Sequence, residues 1–164
     1  MTVFLCGFMG CGKSTVGREL AALMDKPFTD MDSYIEKKAG MTIPEIFAEK
    51  GEKAFRTMET SAVKELAASD EVVACGGGAM LKSENAEAAA AGGIVVYLDA
   101  DYETCYKRIS GDKNRPIVMA NTKESLEGIY NDRKALYTAN SQISIKAEGT
   151  PAQIAEKIRE AVSD

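Results

Sequence analysis

The sequence contains no histidine among its 164 residues. Catalytic triads of the Ser-His-Asp type, Cys-His proteolysis and zinc sites with histidine ligands all need this side chain, so its absence excludes them together. Any proton transfer must instead use Asp, Glu, Lys, Tyr or water.

Cysteine is scarce, and its spacing argues against a disulfide framework. None of the four cysteines forms a C-x-x-C pair with another; they are Cys6, Cys11, Cys75 and Cys105. We expect free thiols, as in proteins of reducing compartments.

Long apolar runs and an excess of basic residues are also missing. No run approaches the ~20 apolar residues that span a bilayer, and the N-terminus lacks a basic region followed by an apolar stretch. We therefore expect a cytoplasmic protein that does not contact membranes.

The net charge of −5 argues against nucleic acid as the main partner, because binding to a phosphate backbone needs a basic face. Since nothing marks an interface, a monomer is expected.

The residues that are present predict one α/β domain over residues 1–164. Short apolar runs alternate with stretches of helical periodicity, which indicates βαβ crossovers and a parallel sheet with helices on both faces. The predicted strands lie in the segments "TVFLCGF", "KPFTDMD", "EVVACGGG", "GIVVYLD" and "QISIKA". Helices are predicted at about 13–24, 33–39, 83–91, 102–109, 123–139 and from 151 onward, with one long helical pattern interrupted near Gly51.

Several boundaries carry capping signals. Ser33 is the predicted N-cap of the second helix, and Asp101 that of the helix at 102–109. Thr150, followed by Pro151 and Gln153, predicts a capping box at the last helix. The polar segment "SGDKNRPIVMANT" has little periodicity and predicts a long mobile loop.

The segment "GFMGCGKS", residues 7–14, fits the spacing G-x-x-x-x-G-K-[ST]. Glycines allow a tight turn whose N–H groups point at one phosphate, and the following helix adds its positive dipole end. Lys13 would reach the β- and γ-phosphates, and Ser14 would bind Mg²⁺. The preceding strand and the following helix strengthen the prediction of nucleotide binding. Cys11 is interpreted as a small side chain in this loop; a reactive thiol is the alternative.

Two acids follow the second predicted strand, in "TDMDS". At an extended strand end, Asp30 and Asp32 would place both carboxylates on one side, at the sheet edge that also holds the phosphate loop. One would serve the Mg²⁺ shell and the other an acceptor hydroxyl. A solvated acidic turn that caps the next helix is the alternative. Three glycines, residues 76–78, end the third strand at the same edge and suggest a close ligand approach or a simple tight turn.

Arginines supply the remaining candidates. Arg56 and Arg133 lie in helical patterns, where a solvated charge is the ordinary interpretation. Arg115 lies in the polar loop, where a lid over the transferring phosphate would place it; its charge would act after closure excludes water.

Taken together, these motifs resemble the shikimate kinase family along the whole chain. "GFMGCGKST" is similar to its phosphate loop and "DMDSYIE" to its paired-acid motif. "IFAEKGEKAFRTME" and "DRKALY" are similar to the segments that carry its substrate arginines, "CGGGA" to its glycine turn and "NRPI" to its lid. The order and the spacing of all six agree.

The resemblance implies a P-loop, nucleoside-monophosphate-kinase-like fold with a five-stranded parallel sheet ordered 2-3-1-4-5. It implies a lid at about 110–122 and a substrate segment at about 32–60. It also implies an enzyme that transfers the ATP γ-phosphate to the 3-hydroxyl of shikimate, in aromatic amino-acid biosynthesis.

On the nucleotide side, the resemblance implies that Lys13 stabilises the moving phosphoryl group, that Ser14 binds Mg²⁺ and that Asp30 supports the metal through water. Arg115 would close onto the phosphates, and Arg108 would lie beside adenine. The full implied nucleotide set is Gly10, Cys11, Gly12, Lys13, Ser14, Thr15, Arg108 and Arg115.

On the acceptor side, Asp32 would hold the hydroxyl and act as the base. Arg56 and Arg133 would clamp the shikimate carboxylate, since arginine forks grip a carboxylate well. Gly77 and Gly78 would bring backbone close to the ring. The catalytic residues would be Lys13, Asp32 and Arg115.

Two other functions stay open from the sequence. A gluconate-kinase-like enzyme would share the fold and the phosphate loop, although the acid pair, the glycines and the two arginines favour shikimate. A non-catalytic nucleotide-binding paralogue that regulates a partner is the other.

Overall fold

The computed structural model describes residues 1–112 and 115–163. Five strands carry the sheet: β1 (Thr2–Cys6), β2 (Phe28–Asp30), β3 (Val72–Ala74), β4 (Gly93–Asp99) and β5 (Ile143–Lys146). The helices around it are α1 (Lys13–Met24), α2 (Met31–Ala39), α3 (Ile43–Lys50), α4 (Glu52–Leu66), α5 (Ser83–Gly92), α6 (Tyr102–Ile109), α7 (Pro116–Met119), α8 (Lys123–Ala139) and α9 (Pro151–Ser163). A short 3₁₀ turn (Ala79–Leu81) precedes α5.

The sheet is parallel throughout and has the order β2-β3-β1-β4-β5. β1 is the central strand: Val3 pairs with Val72 on one side and with Ile94 on the other. All five β1 residues are buried, as its near-continuous apolar run predicts. The strand order reverses at β1, so ligands are expected beyond its carboxyl end. The predicted fold class and strand order are confirmed.

Capping explains why several helix bounds agree with the sequence prediction. Asp101 accepts a hydrogen bond from the Thr104 N–H at 2.8 Å at the start of α6. Thr150 and Gln153 bond each other's backbone N–H at the start of α9, as a capping box requires.

The predicted N-cap of α2 is wrong. Asp30, not Ser33, caps this helix: its Oδ1 accepts from the Ser33 N–H at 3.1 Å. The chain turns into α2 directly after β2, so the N-cap lies three residues earlier than the one predicted at Ser33. Asp32 consequently lies in the first turn of α2, not on an extended strand end.

The segment predicted as an irregular loop contains α7. Pro116 occupies its first turn, where proline's fixed φ and missing N–H are tolerated. Residues 113 and 114, which belong to the predicted lid, lie outside the described residues.

Within residues 1–112 and 115–163, no helix is long and apolar enough to cross a membrane.

Candidate active site

The phosphate loop links the buried end of β1 to the first turn of α1. Its glycines Gly10 and Gly12 have φ of 79° and 98°, a left-handed backbone that other residues rarely adopt. The Lys13 ammonium donates to the Gly7 carbonyl at 2.7 Å and to the Phe8 carbonyl at 3.2 Å. The lysine therefore lies over the loop, where phosphate oxygens can exchange for these carbonyls.

Ser14 and Asp30 form a pair of oxygen donors beside this loop. The Ser14 hydroxyl donates to Asp30 Oδ2 at 3.3 Å, so the end of β2 and the start of α1 meet here. In the described part of the chain, no group of three or more His, Cys, Asp or Glu side chains could hold a metal ion. A hydroxyl and one carboxylate nevertheless fit Mg²⁺, which keeps several waters and takes further ligands from substrate phosphates.

A cavity of about 270 Å³ opens over the loop at the carboxyl edge of the sheet. The predicted site residues that line it come from four regions of the chain: Gly10, Gly12, Lys13, Ser14, Thr15, Asp30, Asp32, Gly77 and Arg115. The cavity thus brings the loop, both acids and Arg115 of the predicted lid together.

The glycine turn after β3 is where the substrate candidates meet. A Cβ at position 76 would lie 2.5 Å from Asp32 Oδ1, and one at position 78 would lie 2.5 Å from Arg56 Nη1. A Cβ at Gly77 would lie 3.6 Å from Arg133 Nη1. Since glycine has no Cβ, one carboxylate and two guanidinium groups can rest on three consecutive residues. The proposed carboxylate clamp and the proposed base therefore share one surface.

Asp32 lies in an environment that favours its neutral form. Burial raises its pKa to about 6, and the nearby carboxylates of Asp30 and Glu59 add to the rise, while Lys13 opposes it. A carboxyl group with a pKa close to neutral beside a phosphate cavity is suited to proton exchange with a hydroxyl.

Arg56 is fixed by Glu59, a residue that the sequence prediction missed. Arg56 Nη1 donates to Glu59 Oε1 at 2.7 Å, and Glu59 is only 1% exposed. Burial raises the pKa of Glu59, and the Arg56 guanidinium opposes the rise. The spacing of three residues on one helix could have suggested this pair.

Arg115, in the segment that the sequence predicts as a lid, lines the cavity. Its Nε donates to Asp112 Oδ2 at 3.0 Å. Among the described residues, no hydrogen bond or ion pair involves the two terminal nitrogens of this guanidinium.

A second cavity, of about 230 Å³, lies on the other side of the loop. Arg108 lines it and donates from Nη1 to the Gly10 carbonyl at 2.8 Å. Cys11 and Thr15 also line it, and the segment around Gly149 closes its far side. Cys11 is only 2% exposed, which fits its interpretation as a packed side chain. Arg108, the residue that the family resemblance places beside adenine, therefore lines a cavity next to the phosphate loop.

Comparison with known proteins finds similarity to shikimate kinases along nearly the whole chain. The family model described as "Shikimate kinase" matches residues 9–163. The chain is 42% identical to the shikimate kinase of Persephonella marina over 95% of both sequences. It is 39% identical to that of Streptococcus gordonii, over 97% of this chain and 99% of that one.

Solved structures show the same similarity in three dimensions. The shikimate kinase from Acinetobacter baumannii in complex with shikimate superposes with a TM-score of 0.89 at 40% identity, covering 99% of this chain and 92% of that chain. A deoxyadenosine kinase from M. mycoides with bound dATP, at 14% identity and a TM-score of 0.66, shares the fold alone. Family model, relatives and fold coincide, and the chain belongs to the shikimate kinase family.

Proposed function

We propose that this chain uses the residues around its glycine turn and phosphate loop to transfer the γ-phosphate of ATP to the 3-hydroxyl of shikimate. The products are shikimate 3-phosphate and ADP. As a member of its family, the chain is an ATP-dependent small-molecule kinase. The observation that carries the assignment of residues is the convergence of Asp32, Arg56 and Arg133 on residues 76–78, beside the phosphate cavity.

The two arginines hold the carboxylate of the acceptor. Arg56 and Arg133 come from different helices and reach the same turn, so their guanidinium groups can grip one carboxylate from two directions. Guanidinium forks bind carboxylates in bidentate geometry. A local cationic site of this kind offsets the acidic charge of the chain as a whole.

Asp32 orients the acceptor hydroxyl and takes its proton. With a pKa of about 6, this carboxylate is mostly ionised at neutral pH and still close enough in pKa to exchange a proton. Phosphoryl transfer depends mainly on positioning and on charge stabilisation, so a modest base is sufficient.

Lys13 and Arg115 supply positive charge around the transferring phosphoryl group. Both line the cavity over the loop, one from its floor and one from the lid segment. Ser14 and Asp30 would hold Mg²⁺, Asp30 through water. The ion, when bound with ATP, neutralises phosphate charge.

The organisation of the chain follows the same proposal. Residues 1–164 form one kinase domain, with a lid at about 110–122 that closes over the phosphates and an acid-binding segment at about 32–60. We expect a cytoplasmic monomer whose partners are shikimate and ATP, without a nucleic acid or a membrane. Size-exclusion chromatography with light scattering tests the oligomeric state.

Comparison with relatives does not favour the gluconate-kinase-like and non-catalytic alternatives. The direct test measures ADP release by a coupled assay with shikimate, with gluconate and with no acceptor. We expect release that depends on shikimate and on Mg²⁺. ADP release with gluconate in place of shikimate, or ATP binding with no turnover for either acid, would overturn the proposal.

A further inference from the structure

Arg56, Arg133 and the glycine turn form the surface proposed to bind the shikimate carboxylate, here called the acid site. Tyr137 lies behind this surface, and no role has been assigned to it above. It sits on α8 and is only 1% exposed. Its ring packs against Tyr97 of β4, with the ring centroids 5.5 Å apart. Its hydroxyl donates to the Gly77 carbonyl at 2.6 Å. One buried side chain thus joins α8 to the middle of the glycine turn.

Arg133 lies one helical turn earlier on α8, and its Nη1 is 3.6 Å from the position that a Cβ at Gly77 would take. Burial raises the pKa of Tyr137 above its usual range, and the Arg133 guanidinium opposes this rise. The Gly77 carbonyl and the Arg133 side chain therefore share Tyr137 as a neighbour.

Fixing the Gly77 carbonyl also fixes the peptide N–H of Gly78. In a trans peptide the carbonyl and the following N–H point in opposite directions. The Gly77 carbonyl points to Tyr137, so the Gly78 N–H points away from it. Within residues 1–112 and 115–163, neither the Gly77 nor the Gly78 N–H donates a hydrogen bond. Both donors remain available to a ligand.

A neighbouring contact shows that the residue that follows α8 also anchors this segment. Asn140 Nδ2 donates to the Met80 carbonyl at 2.8 Å, just beyond the turn. From the other side, Asn85 donates to the Ala79 carbonyl at 2.9 Å and accepts from Thr60 of α4. The helices that carry Arg133 and Arg56 are thus both tied to the segment that follows the glycines.

We propose that Tyr137 is a positioning residue for acceptor binding: its hydroxyl fixes the Gly77–Gly78 peptide and the Arg133 guanidinium relative to each other. The inference rests on the proposed function, because it takes shikimate as the ligand of this surface. It concerns the acceptor, since the Tyr137 hydroxyl bonds the glycine turn.

The test compares two tyrosines of α8 that make the same kind of bond. Tyr137→Phe keeps the ring and removes the hydroxyl. Tyr130→Phe is the matched control, because Tyr130 is also buried and donates to a backbone carbonyl, that of Ala100, at 2.5 Å.

Titration calorimetry measures shikimate and ATP binding to the wild type and both variants. We expect Tyr137→Phe to weaken shikimate binding about fivefold to twentyfold, the effect of one lost hydrogen bond. Its ATP affinity, and both affinities of Tyr130→Phe, should change less than about twofold.

Each other outcome has a separate meaning. A wild type that binds ATP but not shikimate overturns the proposed function and, with it, this inference. A wild type that binds shikimate while Tyr137→Phe binds it equally well overturns the inference alone. Equal losses for shikimate and ATP in Tyr137→Phe, or an equal shikimate loss in Tyr130→Phe, would indicate a general effect on packing and also overturn it. Tm values of all three proteins check that the variants are folded.

Discussion

The Arg56 guanidinium lies directly over Gly78, so that Nη1 is 2.5 Å from the position that a Cβ there would take. Such a contact is too short for any real Cβ, and the end of a flexible side chain is what would yield. A side chain at position 78 would therefore move Arg56 and leave the backbone in place.

Gly78→Ala should weaken acceptor binding without unfolding the protein. We expect the KM for shikimate to rise about tenfold or more, as for a lost charge-assisted hydrogen bond, with little change in the KM for ATP. Gly128→Ala is the control, because a Cβ there meets nothing within 4 Å. It should leave both KM values unchanged. Steady-state kinetics check this; a collapse of Tm in Gly78→Ala would contradict the expected yielding of Arg56.

Glu59→Gln should weaken acceptor binding by releasing Arg56, the arginine that lies over Gly78. The buried carboxylate fixes Arg56, and its loss leaves the guanidinium free to turn away, so we expect the KM for shikimate to rise about fivefold. Glu52 also faces Arg56, at 3.6 Å, but is exposed. Glu52→Gln should therefore change the KM by less than about twofold. A larger rise in KM for Glu52→Gln than for Glu59→Gln would contradict this prediction. It would show that burial of the carboxylate does not decide how firmly it fixes Arg56.

Arg133→Ala should separate acceptor binding from nucleotide binding. Removing one arginine of a carboxylate clamp costs about 2 to 5 kcal/mol, so we expect the KM for shikimate to rise about 100-fold. ATP affinity, measured by calorimetry, should stay within about threefold of the wild type. Arg159→Ala, at a surface arginine of α9 paired only with Glu156 in the described chain, is the control. Equal losses for both ligands would remove Arg133 from the acid site.

Asp32 should impose an acid limit on the rate. Its pKa of about 6 means that kcat/KM falls about tenfold per pH unit well below pH 6, as the base becomes protonated. Asp32→Asn should reduce kcat by at least about 100-fold and lose this limb of the pH profile. Near-normal turnover by Asp32→Asn would exclude Asp32 as the base.

The same carboxyl should also make stability depend on pH. Its folded pKa of about 6 is above the ordinary 3.8, so its stabilising contribution is fully present below about pH 4 and is lost as pH rises through 6. The free energy of unfolding of Asp32→Asn relative to the wild type should therefore increase between pH 4 and 6 and level off, gaining about 3 kcal/mol at most. Urea denaturation at both pH values measures it. A difference that does not change with pH would contradict the raised pKa.

Local signals explain which parts of the fold were predictable. The predicted bounds of α1, β4, α6 and α8 agree with the structure, because glycines and capping residues mark these ends within a few residues of sequence. Asp30 took the cap expected at Ser33 because the end of β2 depends on its pairing with β3, which is not a local property. α7 was missed since a four-residue helix leaves almost no periodicity.

Most of the residues that line the cavity over the phosphate loop were candidates from the sequence, but the contacts among them were not predictable. The phosphate loop and the acid pair carry their chemistry in adjacent residues. Glu59 could have been paired with Arg56 from spacing alone, whereas Tyr137 meets Gly77 across 60 residues of chain. No sequence pattern indicates a hydroxyl placed by packing of this kind.

The phosphate loop forms a wall common to both cavities, since Gly10, Gly12 and Thr15 line each of them. A bisubstrate compound that links a purine to a cyclic acid could run across this wall and occupy both volumes at once. Its second half would bind at a high effective concentration after the first half had docked. Such a compound would bind this protein in preference to other ATP-binding proteins, because only one of its two halves resembles a nucleotide.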